Sequence, residues 1–299
     1  MPRSTAMPTQ VSQYLGSRNS SRIEDAHELS TLPPVPHSIS IVYSFLHRLR
    51  SLRYRFWYGV SERLRWSRGT FHETPVRELP VLAPEPGQRI AALRSRYQVQ
   101  FELLMSSATS LNNYEYLDIL DRAWSRAGLA RPSGGVICDI GCASFWYAAA
   151  LQAFFKPREL IGVEVEGHRL FKNGHTRIDY ARGYVAQMAN ARFVVADYVT
   201  YECPADIITA WFPFLTPTAI LAWRLPLSLL TPERLFRQIY HNLNPDGLLV
   251  MVNHGQSEAS RAQALCVAAG LRRQAHLEEP GVLSAKRLSP AILSCWSRA

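Results

Sequence analysis

The sequence predicts an α/β protein: a doubly wound sheet of seven strands preceded by an N-terminal helical extension. Three observations carry this expectation. After Pro132, short apolar runs of strand length alternate with helical segments, the pattern of a parallel sheet covered on both faces. The 299 residues are 47% hydrophobic, enough to bury a substantial core. The net charge of +9 is concentrated at one end, with 14 Arg against 7 Asp or Glu in residues 1–99.

Residues 1–38 are rich in Ser, Thr and Pro and lack a hydrophobic period, which predicts a disordered tail. Next, Ile41, Phe45, Leu49, Leu52, Phe56 and Leu64 recur at near-helical spacing. Between them stand Arg48, Arg50, Arg53, Arg55, Arg63 and Arg65. This is a basic amphipathic helix, and residues 69–87, with four prolines, read as a linker. Residues 39–88 thus form a helix and Pro-rich linker, and residues 89–299 the folded domain. Residues 89–130 are expected to be helical.

Five strands follow, at 136–139, 160–164, 192–195, 206–211 and 248–252, with closing strands at 272–277 and 291–297. Helices are expected at 143–155, 168–189, 232–243 and 257–270. A turn, Asn244-Pro245-Asp246-Gly247, leads into the fifth strand. No run approaches the ~18 apolar residues of a membrane-spanning helix, and no apolar signal segment follows Arg3. The five cysteines show neither metal-ligand spacing nor a disulfide framework. Together these predict a cytoplasmic protein, with peripheral membrane attachment through the basic helix as the variant.

In open α/β sheets, ligands sit beyond the carboxyl ends of the strands. There the first strand runs into Asp139-Ile140-Gly141-Cys142-Ala143-Ser144-Phe145, where Gly141 allows a tight turn with backbone close to a ligand. Asp139, at an apolar strand end, is expected to bond backbone N–H groups of the loop. Glu164 ends the second strand, where a carboxylate can accept both hydroxyl hydrogens of a ribose. Asp197 ends the third, where it either reaches an adenine edge or caps a turn.

These segments resemble, in order, the motifs of class I S-adenosylmethionine-dependent methyltransferases. Asp139-Ile140-Gly141-Cys142 resembles the glycine-rich first motif, and Ile161-Gly162-Val163-Glu164 the second, with its acidic ribose ligand. Ala196-Asp197 resembles the adenine-contacting motif, and Leu243–Leu249 the turn before the fifth strand. The resemblance covers about residues 110–299. It implies a Rossmann-like methyltransferase sheet and S-adenosylmethionine held by Asp139, Gly141, Ala143, Glu164 and Asp197. The family has glycines where Ala143 and Phe145 stand, so Phe145 must point away from the ligand or reshape the loop. The dinucleotide fingerprint's third glycine, which packs helix on strand beside a pyrophosphate, is absent, which disfavours NAD.

The methyl acceptor is not identified by the sequence. His175 and Asp179, four apart in an expected helix, are either a proton-transfer pair or a local pair on a solvated face. His254, closing the fifth strand, is a candidate base. Trp211-Phe212-Pro213-Phe214 is either an aromatic wall for the acceptor or core packing. The basic helix over residues 41–66 fits an anionic membrane surface, with nucleic acid less favoured. The competing expectation is a cap on the cleft, its aromatics buried against residues 89–130. An alternative to catalysis is a non-catalytic Rossmann-like binding protein, recruited to membrane or nucleic acid by that helix.

Overall fold

A computed structural model of the chain describes residues 37–279, 283 and 291–299. The expected tail lies, over residues 1–36, outside the described residues. The basic segment is one helix, α1 (His37–Leu64). Helix α2 (Pro84–Tyr97) opens on the last prolines of the expected linker. Proline suits a first helical position, where its missing N–H has no partner to lose. The expected helical stretch 89–130 is broken by Gln98, whose left-handed backbone (φ 55°) ends α2. It resumes as α3 (Ser107–Ala127), whose first turn is capped by the Ser106 hydroxyl and which ends on Gly128 at φ 63°.

The sheet comprises β1 (Val136–Ile140), β2 (Glu159–Glu164), β3 (Ala191–Val195), β4 (Ala205–Trp211), β5 (Leu243–His254), β6 (Leu271–Glu279) and β7 (Ala291–Arg298). Their order is β3-β2-β1-β4-β5-β7-β6. The first five run parallel, and β7 is antiparallel to both β5 and β6. Helices α4 (Ala148–Phe155), α5 (Arg177–Val185), α6 (Pro217–Ala222), α7 (Pro232–Asn242) and α8 (Gly255–Ala268) fill the connections.

The strands feed two apolar layers. Ile137, Leu160, Ile207 and Val250 pack with α3 and α4. Their immediate neighbours Cys138, Ile161, Ile208 and Leu249 pack with α7 and α8. The two-residue period of a strand sends successive side chains to opposite faces, so unbroken apolar runs supply both layers.

Three expectations are corrected locally. The helix expected from Ala143 begins only at Ala148, because Ala143 and Phe145 adopt left-handed φ values of 51° and 57°. The helix expected over 168–189 is confined to α5. Residues 168–176 form a loop, with Leu170 bridged to Thr176 and Gly174 at φ 80°. The Asn244–Gly247 turn lies inside β5, where Ala205 pairs Leu243 and Ile207 pairs Leu248. Asn244 anchors this bulge by donating to Asp206 Oδ1 at 2.7 Å.

The chain divides into two compact units. One comprises the described residues through Tyr58 with Thr216–Leu230; within it, Leu227 N–H donates to the Ser51 hydroxyl at 2.9 Å. The other comprises Gly59–Leu215 and Thr231–Ala299 and holds the entire sheet.

Candidate functional site

A backbone carbonyl on the neighbouring strand anchors the loop after β1. The Val163 carbonyl accepts from Gly141 N–H at 2.8 Å and Cys142 N–H at 3.3 Å. Gly141 takes φ 65°, and a Cβ there would meet nothing within 4 Å, so the backbone at this turn faces open space. Ala143 and Phe145 hold left-handed conformations without being glycine, at a cost on the order of 1–2 kcal/mol each. The Phe145 ring turns inward and is fully buried, packing against Gly162 of β2. The bulky residue thus points into the core and leaves the open side of the loop to a ligand.

Glu164, at the end of β2, is 5% exposed. Its Oε2 accepts from Ala143 N–H at 2.8 Å, tying the β2 carboxylate to the β1 loop. Its Oε1 accepts from Glu166 N–H at 2.9 Å and lies 3.2 Å from Arg177 Nη1. Arg177 is itself buried and reaches Glu166 with its other nitrogen at 3.3 Å. Burial pushes the Glu166 carboxyl up, against the pull of Arg177 and Arg169. A carboxylate has about four lone-pair positions. Three at Glu164 are engaged, so a ribose that uses it twice must displace one of these partners.

Asp139 departs from expectation. It is fully buried and accepts from two hydroxyls: Tyr147 on Oδ2 at 2.6 Å, and Thr209 of β4 on Oδ1. Loop N–H groups are not its partners, because Ala143 N–H and Gly141 N–H go to Glu164 and Val163. Burial pushes its carboxyl up to about 7, despite both hydroxyls. Asp197 is exposed, caps the turn Tyr198–Thr200, and accepts Val199 N–H at 3.1 Å.

His175 and Asp179 do not share a helix face, since His175 precedes α5. The two approach only to 3.8 Å. Asp179 caps α5 through Thr176 N–H at 2.9 Å. It also accepts the Ser67 hydroxyl and, at 3.0 Å, Arg68 N–H. Phe71 stacks against Tyr180 with ring centres 4.1 Å apart, and Trp66 donates to the Gly174 carbonyl at 3.0 Å. Residues 66–71 therefore strap α5 and its preceding loop. Asp179 is the buckle, buried and holding three hydrogen bonds rather than on a solvated face.

At the carboxyl ends of β4 and β5, aromatic rings form a continuous series. Tyr147 stacks on Tyr116 at 4.6 Å, Tyr116 meets Trp211 at 4.2 Å, and Phe212 stacks on His254 at 3.9 Å. Tyr116, Tyr147 and Trp211 are buried, so this part is core packing; Phe212 and His254 are partly exposed. The Trp211 indole N–H is buried without a hydrogen-bond partner. Beside His254 lies Glu258, which accepts from Asn253 at 3.3 Å and from His254 N–H at 3.2 Å. Burial pushes its carboxyl up to about 7.

Sequence reasoning missed Tyr147, Thr209, Arg177, Glu166, Glu258 and the Ser67–Arg68 strap. Two of these meet partners far along the chain: Thr209 is 70 residues from Asp139, and Ser67 is 112 from Asp179. Glu258 alone had a local signal, an acidic residue in the first turn of a helix beginning where a strand ends.

Residues 110–281 match the family model described as a methyltransferase domain. No curated protein matches the sequence. Among solved structures, the chain is similar to a SAM-dependent methyltransferase from Aquifex aeolicus. The identity is 13%, with 60% of this chain and 90% of that one covered, at a TM-score of 0.45. A TehB-like SAM-dependent methyltransferase from Corynebacterium glutamicum is 19% identical, covering 62% and 88%, at a TM-score of 0.41. A third, from Clostridium acetobutylicum, is 10% identical, covering 71% and 99%, at a TM-score of 0.43. With more than half of its residues inside the matched model, and with a seven-stranded sheet in the order described, the chain belongs to the methyltransferase domain family.

Proposed function

We propose that the protein transfers the methyl group of S-adenosylmethionine to an acceptor positioned over the carboxyl ends of β4 and β5. The observation that carries this reading is the convergence of the β1 loop and the β2 carboxylate, joined by the Ala143 N–H to Glu164 bond at 2.8 Å. That bond fixes the carboxylate beside a turn whose open side is bare backbone at Gly141. The arrangement fits a nucleoside, with Glu164 accepting a ribose hydroxyl and Asp197, exposed two residues beyond β3, available to the base. When bound, the cofactor supplies an already activated methyl on a sulfonium.

The chain's own task is orientation, which accounts for much of such a rate. Phe212 and His254 form the partly exposed wall for the acceptor. A base is needed only where the acceptor nucleophile carries a proton. His254 is the candidate by position, and Glu258, held near neutral pH by burial, is a second. His175 and Asp179 serve the strap, not proton transfer.

Calorimetry with S-adenosylmethionine and S-adenosylhomocysteine tests this. The parent protein should bind, and Glu164→Ala should lose at least ~10-fold in affinity, as expected from one net charge-assisted bond of ~1.5–3 kcal/mol. No binding by the parent at millimolar cofactor sinks the reading. A variant that binds as tightly as the parent removes Glu164 from it.

A further inference from the structure

Helix α1 presents its apolar side outward. Phe45, Leu49, Leu52 and Phe56 recur at helical spacing, and each is 48–63% exposed. The opposite side carries His47, Ser51, Tyr54 and Tyr58, all half-buried, with Ser51 bonded to Leu227 N–H. An amphipathic helix in a globular unit ordinarily does the reverse, hiding its apolar stripe and exposing its polar one. Trp57 and Trp66 are also exposed, at 59% and 57%.

The charge arrangement says what covers the stripe. At 100° per residue, Arg50 and Arg53 fall on one flank of the Phe45–Phe56 line, and Arg48 and Arg55 on the other. All four are exposed. No acidic residue lies between His37 and Ser61. An apolar strip bordered on both sides by arginines matches a surface whose interior is hydrocarbon and whose boundary is anionic. Among the described residues, no helix is long and apolar enough to cross a membrane, so the helix would lie in the interface plane.

We propose that α1 docks the protein on an anionic lipid bilayer through Phe45, Leu49, Leu52 and Phe56, with Arg48, Arg50, Arg53 and Arg55 contacting the headgroups. The docking stands independently of the methyl-transfer reading, since it uses none of the residues at the carboxyl ends of the strands.

Co-sedimentation of the full chain with vesicles tests the assignment. Phosphatidylcholine vesicles are compared with vesicles in which phosphatidylserine replaces about a third of the lipid. The parent should pellet with the anionic vesicles at low salt, release as salt rises, and ignore the neutral ones. The double change Arg50→Gln with Arg53→Gln should weaken partitioning by ~10-fold or more, at about a fivefold loss per arginine. Leu52→Ser with Phe56→Ser should weaken it at least ~10-fold with the charge intact. These four side chains are exposed, so both variants should melt with the parent. No pelleting with anionic vesicles at low salt overturns the proposal, as does equal pelleting with neutral ones. Two findings made without vesicle binding reassign the stripe and also overturn it. One is salt-sensitive binding of single-stranded RNA that survives Leu52→Ser with Phe56→Ser. The other is a dimer that Phe56→Ser dissociates.

Discussion

The ring of Phe145 occupies the space that a side chain on residue 162 would need. A Cβ built at Gly162 would lie 2.7 Å from both Phe145 Cδ1 and Cε1. Gly162 sits in the middle of β2, where glycine costs stability and needs a reason. The reason lies 17 positions earlier, in a loop that turns a phenylalanine inward where the resembled family has glycine. The two departures from ordinary pattern are one packing solution.

That solution is testable as a pair. Gly162→Ala should destabilise by ~1–3 kcal/mol, because the buried ring has nowhere to move. Phe145→Ala should cost roughly 3–5 kcal/mol as a cavity in the core. The double variant should be more stable than the sum predicts, by at least ~0.5 kcal/mol, since the added methyl then enters vacated space. Urea unfolding of the four proteins measures this; strict additivity would show that the two residues do not share the space.

The buried carboxyl of Asp139 should make stability depend on pH. In the folded chain it is pushed up to about 7 by burial, against roughly 3.9 in an unfolded chain. A raised carboxyl favours the folded state fully below the unfolded value, and that advantage is lost as pH climbs through about 7. At ~1.4 kcal/mol per pH unit, the loss across this window approaches roughly 4 kcal/mol. Asp139→Asn cannot ionise, so its melting temperature relative to the parent should climb from pH 5 to pH 8. Parallel melting curves for the two proteins across that range would contradict this account.

Arg177 bridges two buried carboxylates, Glu164 at 3.2 Å and Glu166 at 3.3 Å. Arg177→Met keeps much of the apolar stem and removes the charge. Glu166 keeps Arg169 at 3.1 Å, but Glu164 loses its cation, which should cost ~3–5 kcal/mol. Adding Glu166→Gln should recover part of that cost, by removing the carboxylate that burial already pushes up. Chemical denaturation at neutral pH checks both, and no recovery in the double variant would place the damage elsewhere.

Asp179 holds the strap over residues 66–71. Burial raises its carboxyl, but the Ser67 hydroxyl and the N–H groups of Thr176 and Arg68 outweigh this and hold it below its usual value. A depressed carboxyl contributes stability above its unfolded value and loses it as pH falls through the folded one. Asp179→Ala should therefore free the strap at neutral pH, and acidification should do so in the parent. Limited proteolysis should show new cleavage near residues 66–71 in the variant while the sheet core stays resistant. Identical digestion of both proteins would remove the buckle role.

Much of this molecule was legible in order. All seven strands overlap the segments that predict them, and the inner ones do so because a sheet buried on both faces needs continuous Val, Ile and Leu. The turn at Gly141 and the acidic end of β2 at Glu164 were readable for the same reason: each depends on neighbours a few residues away. The helix boundaries at 143 and 168 were misread because tertiary demands overrode local propensity. Phe145 was turned into the core at Gly162, and Asp179 was claimed by Ser67 and Arg68. The partners of Asp139 and the Arg177 clamp join residues that only the packed sheet brings together. The outward stripe of α1 shows the division most plainly. Its amphipathic pattern is a property of the sequence, since helical spacing alone places Phe45, Leu49, Leu52 and Phe56 in line. Which side faces solvent was decided by tertiary structure, where Ser51 bonds to Leu227 and turns the apolar side outward.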